Sequence, residues 1–149
     1  TVRVMSFLQH GQVHILSSVL RMGINGSRVD NSQMGGISAG ILASGQLKSI
    51  AYTKEGQPFD RHPRGGRFED CMIPNYVEIL DSIRSMHARI AHFRIMSWDI
   101  AIGKDGSPIL VEANYWRGSI DLHQFSNGPL FGDLTDEVLE EVFGKRLDK

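Results

Sequence analysis

Cysteine is almost missing from this chain. The single thiol, Cys71, excludes a disulfide framework within the sequence and any cysteine-based zinc site. One thiol suits a reducing compartment, and the cytoplasm is the expected location. Cys71 itself reads as a small buried or half-buried side chain. A surplus of charge is missing too. Sixteen Lys and Arg stand against 17 Asp and Glu, for a net charge of −1, which gives no electrostatic footprint for nucleic acid or a membrane surface. No apolar run approaches the ~20 residues of a membrane span, no signal peptide is visible, and no repeat or low-complexity segment occurs. What remains is ordinary globular composition, 41% hydrophobic over 149 residues, enough for one domain with a core. Thr1 opens straight into a strand-like run, so the chain reads as starting inside a larger fold.

Residues 1–8 and 13–22 are two apolar runs around Gln9-His-Gly-Gln12, which predicts a hairpin. Arg3 lies deep in the first run, and a buried guanidinium needs an anion. Arg21, at the end of the second, reads as a surface residue. Residues 23–36 are polar, Gly-rich and aperiodic, hence a loop suited to phosphate binding or closure. Short strands follow at 37–42 and 47–52. Residues 54–74 form a second long loop of mixed charge, in which His62 reads as structural or orienting. From Asn75 to Phe93, Tyr76, Ile79, Leu80, Ile83, Met86, His87 and Ile90 recur at three and four residues, which predicts an amphipathic helix with His87 packed or partly solvated. A second helix is expected over 135–143, with Gly144 as its C-cap. The class is α+β: an antiparallel sheet with helices on one face.

The informative stretch is Trp98 to Asn114. Asp105-Gly106 is a strong hairpin signal. With those two residues as the loop, Ile102 faces Ile109, Ile100 faces Val111 and Asp99 faces Glu112. Alternation then puts Ile100, Ile102, Ile109 and Val111 on a core face, and Asp99, Ala101, Leu110, Glu112 and Asn114 on the other. Opposed carboxylates repel, a divalent cation removes the repulsion, and Asn114 adds an oxygen on the same side. Hard oxygen ligands suit Mg²⁺. The plain alternative is a solvated polar face. Leu110, Trp98 and Tyr115-Trp116 argue against it, because an exposed strand face rarely carries that mixture uncovered.

An acidic residue on one strand and Glu-x-Asn on the next resembles the metal-binding hairpin of the ATP-grasp superfamily. Thr1-Val-Arg-Val4, Arg21, Val29-Asp-Asn-Ser32 with Gly35-Gly36, His62-Pro63 with Gly65 and Phe68, Ile73-Pro74, Trp98-Asp-Ile-Ala101, Glu112-Ala-Asn114 and Gln124 together resemble the sugar-transfer-associated ATP-grasp family over most of the chain. The resemblance implies the C-terminal half of an ATP-grasp fold, a single partial domain over 1–149, with the N-terminal, lysine-bearing half lying ahead of it as a partner. It implies Mg²⁺ (or Mn²⁺) held by Asp99, Glu112 and Asn114, and ATP as cofactor with adenine against Leu110. Arg3 and Arg21 would neutralise phosphate or an acyl-phosphate oxyanion. Asn31, Gly35 and Gly36 would belong to a loop closing over phosphates and acceptor. The implied reaction is ATP-dependent carboxylate–amine ligation on small-molecule or saccharide carboxylates and amines, towards polysaccharide precursors. Bulky Tyr115-Trp-Arg-Gly118 would mark the acceptor side. The competing readings are a non-catalytic nucleotide- and metal-binding module lacking its partner half, and a structural domain without ligand.

Overall fold

A computed structural model describes residues 1–24, 36–116 and 118–144. The chain is built on one seven-stranded sheet in the order β5-β4-β3-β2-β1-β6-β7. The strands are β1 (Val2–Gln9), β2 (Gln12–Met22), β3 (Ile37–Ile41), β4 (Leu47–Thr53), β5 (Pro58–Phe59), β6 (Ile95–Ile102) and β7 (Pro108–Asn114), and every adjacent pair is antiparallel. The helices are α1 (Tyr76–Ala88), α2 (Asp121–Asn127) and α3 (Thr135–Phe143). The α+β class expected from the sequence holds. Among the described residues no helix is long and apolar enough to cross a membrane.

The β1–β2 hairpin turns at His10 and Gly11, both at positive φ, as two-residue hairpin turns require. Its register places Val2 and Val4 on one face and Arg3 and Met5 on the other. The first face is the core. Val2, Val4, Met96, Trp98 and Ile100 bury there against Tyr76, Ile79 and Ile83 of α1. The helical stripe read from the sequence is the buried stripe, although α1 stops at Ala88 rather than Phe93. The reason is local: His87 Nε2 donates to the Phe93 carbonyl at 2.7 Å, and Ile90 N bonds the His87 carbonyl in a turn. His87 is fully buried. Because the Phe93 carbonyl only accepts, Nδ1 is the free acceptor of the imidazole, and Ser6 Oγ donates to it at 2.7 Å while accepting from Trp98 Nε1 at 2.7 Å. This polar chain satisfies itself inside the core.

The opposite face carries Arg3, Met5, Ser17 and Asp99. The short α2 lies over its β2–β4 part, where His123 Nδ1 meets Ser17 Oγ at 2.9 Å and Phe125 stacks on Tyr52. α3 is found where expected, with Gly144 at φ 63° capping it. Two readings need correction. Cys71 is exposed, because it follows a 3-10 turn at Phe68–Asp70 in which Phe68 takes the buried place. The 54–74 loop also contains β5, which pairs with β4.

The hairpin of β6 and β7 departs from the expected pairing at its tip. Asp99 does face Glu112, Trp98 faces Ala113 and Ser97 faces Asn114. Beyond Asp99 the register slips by one: Ile100 faces Leu110, Ala101 faces Ile109 and Ile102 faces Pro108. The turn is wider than two residues. Gly103 N bonds Ser107 O at 2.8 Å, Gly106 N bonds Gly103 O at 3.0 Å, and Gly106 sits at φ 83°. The extra residue is absorbed by a β-bulge at Val111, and a one-residue slip reverses every facing beyond it. Leu110 therefore shares the face of Ile100, not that of Asp99. Ile109, Leu110 and Val111, two of them assigned to the core by the expected register, are exposed on an edge strand. Asn75 Nδ2 donates to the Gly106 carbonyl at 3.0 Å, which ties the hairpin turn to the start of α1.

Candidate functional site

Cross-strand pairing aligns Arg3, Asp99 and Glu112 as neighbours on β1, β6 and β7, on the face away from α1. Arg3 grips Asp99 with two parallel bonds, Nε to Oδ1 at 2.6 Å and Nη2 to Oδ2 at 2.6 Å. Arg21, reaching over from β2, adds Nη1 to Oδ2 at 3.1 Å. Arg3 Nη2 also lies 3.8 Å from Glu112 Oε1. The two acids thus meet over one patch of sheet, and a guanidinium stands between them. The anion that a buried Arg3 was expected to need is Asp99. Arg21 is not a plain surface residue, since its side chain is only 10% exposed and it shares that carboxylate.

Asp99 is buried, whereas the Glu112 side chain is 54% exposed. Asn114 Nδ2 donates to Glu112 Oε1 at 2.9 Å, so Asn114 joins the group from the next position along the same face. Among the described residues no three His, Cys, Asp or Glu side chains gather to hold a metal. The cluster's oxygen donors are two carboxylates and one amide. They fit a hard cation such as Mg²⁺ or Mn²⁺ and not a soft one. A carboxylate offers about four acceptor positions, and three guanidinium bonds engage Asp99 Oδ1 once and Oδ2 twice.

Of the other expected site residues, Gly36 is buried immediately before β3. Asn31 and Gly35 lie outside the described residues. Leu110 is 45% exposed on the far side of the bulge, which removes the shared-face argument for its contact with adenine. His62 Nε2 lies 3.3 Å from the Gly23 carbonyl, and Nδ1 accepts from Arg64 N at 3.2 Å.

Sequence reasoning missed His123. It is 1% exposed, and its pKa is lowered to about 4, first by burial and then by the positive charges of Arg3 and Arg21, against the opposing pull of Asp99. It is therefore a neutral imidazole beside the charged row. Asn127 Nδ2 donates to Ser17 Oγ at 2.8 Å, beside the Ser17–His123 bond. His123 Nε2 is buried without a hydrogen-bond partner among the described residues. The signal was the stripe Leu122, His123, Ser126, readable only if residues 121–127 are recognised as a helix.

The model of the sugar-transfer associated ATP-grasp family matches residues 1–138. Neither the curated proteins nor the solved structures gave a match. The chain belongs to the sugar-transfer associated ATP-grasp family and is an ATP-binding ATP-grasp module.

Proposed function

We propose that this module supplies the metal- and phosphate-facing surface of an ATP-dependent carboxylate–amine ligase, working through an acyl phosphate in the cytoplasm on a sugar or polysaccharide precursor. The observation that carries this reading is the row Arg3–Asp99–Glu112, flanked by Arg21 and Asn114. Glu112 and Asn114, with the remaining acceptor position of Asp99, would hold Mg²⁺. When bound, the cation supplies charge neutralisation and bridging of the ATP phosphates.

Arg3 and Arg21 orient an anionic phosphate or carboxylate oxygen, and Asp99 fixes both guanidiniums so that little ordering remains to be done on binding. Phosphoryl transfer asks for positioning and electrostatics rather than a protein nucleophile, and this cluster is of that kind. In this reading the exposed Ile109, Leu110 and Val111 give the adenine an apolar edge. A lysine-bearing half-domain completes the grip.

One observation favours a second reading, a nucleotide- and metal-binding module without turnover: both Asp99 oxygens are already taken by guanidinium. Calorimetry with ATP, in Mg²⁺ and in EDTA, tests the shared part of the two readings. Mg²⁺ should tighten ATP binding, and Glu112→Gln should erase that gain while the unliganded Tm stays in place. A Mg²⁺ gain that survives in Glu112→Gln refutes the metal role. ADP release on presenting acids and amines then separates enzyme from module.

A further inference from the structure

The first half of β2 has an open edge inside the sheet. β3 pairs only with Val19–Met22. Residues 12–18 therefore have β1 on one side and, among the described residues, no strand on the other. Leu8 N bonds the Arg94 carbonyl at 2.7 Å, so Leu8 turns its backbone groups towards β6. Its β2 partner Val13 then turns its own N–H and C=O away from β1, and Ile15, two residues on, does the same. Ser18 points outwards too, and there Asn127 Nδ2 donates to the carbonyl at 2.9 Å. Among the described residues no hydrogen bond reaches the outward groups of Val13 and Ile15. They front a cleft of about 480 Å³ between Arg84 of α1 and the 129–134 segment.

A donor and an acceptor on every second residue is the pattern that another extended strand satisfies. The outer edges of the sheet are blunted against such pairing. β5 is two residues long and starts at Pro58, and β7 starts at Pro108 and carries the bulge. Residues 12–16, Gln-Val-His-Ile-Leu, hold no Pro, Lys, Arg, Asp or Glu. We propose that this edge pairs with the same edge of a second copy of the chain, antiparallel, about a two-fold axis through His14. An axis through Val13 or Ile15 would give two hydrogen bonds. The axis at His14 sets Val13 opposite Ile15 of the second copy and gives four, so every outward group is used. It also puts two β-branched side chains directly opposite on the α1 face, a favourable cross-strand pair, and both are only half-buried in the single chain. Charge fits as well. The ion pair of Arg84 with Asp81, at 2.8 Å, borders the cleft and presents both signs to its own counterpart. The row at Arg3 lies towards the other end of β1 and stays open, so the pairing is independent of the ligase reading.

Two measurements on the 149-residue chain, without nucleotide, test this. Sedimentation velocity over rising concentration measures association of the wild type and of Val13→Pro. Proline at 13 removes an outward N–H and leaves the ladder with β1 intact. Disulfide trapping reads the register. In a Cys71→Ser background no other thiol remains. His14→Cys then places two thiols across the axis, in a non-hydrogen-bonded pair with Cα atoms about 4.5 Å apart, within disulfide reach. Gln12→Cys is the control. Gln12 would face Leu16 of the second copy, so its two thiols would stand about 13 Å apart.

The expected result is a monomer–dimer equilibrium with Kd on the order of 100 µM, as suits an interface built on one short edge. Val13→Pro should weaken it about 10-fold or more. Under mild oxidation near that Kd, His14→Cys should form a covalent dimer about 10-fold faster than Gln12→Cys. A wild-type chain that is still monomeric at about 1 mM, a dimer that Val13→Pro leaves unchanged, or equal trapping of the two cysteines overturns the proposal. Should Val13→Pro fail to fold, the two cysteine variants decide alone, since neither position contributes its N–H or C=O to the proposed bonds.

Discussion

The two faces of the sheet solve the same problem in opposite ways. On the α1 face, the polar side chains deepest in the core form a chain that closes on itself: Trp98 donates to Ser6, Ser6 to His87, and His87 to the Phe93 carbonyl. On the other face the polar groups include a cluster of charges that reaches solvent at Glu112. Arg3 and Arg21 converge on Asp99, Glu112 stands largely in solvent, and Ser97 Oγ, His123 Nε2 and Asn127 Oδ1 are buried without partners. A second buried hydroxyl of the α1 face, Ser18 Oγ, lies against the Tyr76 side chain. The difference teaches where binding can act. A self-satisfied network sets the fold, and a face with concentrated charge reaching solvent can recognise something else.

The comparison breaks most sharply at Asp99. Asp99→Asn removes the charge that holds two guanidiniums in a largely buried place, and it should cost about 3–5 kcal/mol in chemical denaturation. A loss under about 1 kcal/mol would mean the row is not a buried ion cluster. Acid should erode the same face through His123. Its folded pKa of about 4 lies below the ordinary 6.5, so the fold favours the neutral ring. That contribution is complete above pH 6.5 and disappears as the pH falls towards 4. With one pKa unit worth about 1.4 kcal/mol, it amounts to about 3 kcal/mol. His123→Gln should flatten the stability difference between pH 7 and pH 4.5 by about 2 kcal/mol, most of that amount, and an unchanged slope would place the titration elsewhere.

Next comes the self-contained face. Ser6→Ala leaves the Trp98 and His87 nitrogens without their shared partner and should cost about 2 kcal/mol, with no change in Mg²⁺-dependent ATP binding. A shift in that affinity would show that the faces are coupled. The smallest effect belongs to Cys71→Ser on the exposed turn, within about 0.5 kcal/mol by thermal melting.

The sequence carried most of the fold because its strong signals are local. The periodicity of Tyr76, Ile79, Ile83 and His87 located α1, and the alternation of residues 2–8 and 13–22 located the first hairpin. The Asp99–Glu112 pairing followed from counting through a turn and survived although the turn was misread, because the bulge at Val111 lies on the tip side of Glu112. A bulge has no signature in composition, so the facings of Leu110 and Ile109 were not legible. The guanidinium between the acids was half legible. An arginine in an apolar run announced that it needed an anion, but which anion depends on β1 lying between β2 and β6, a long-range pairing. α2 escaped because seven residues give too little periodicity to detect, and His123 went with it.

The reset of side-chain alternation at Val111 also gives the outer hairpin two separately mutable parts. Substitutions at Ile109 and Leu110 can alter the apolar edge that β7 presents without moving an atom of the Asp99–Glu112 pair. Changes at the acids, in turn, leave the tip's shape alone. A lineage could therefore retune what rests against that edge in single steps while the charged row stays as it is, a modularity that an unbroken ladder would deny it.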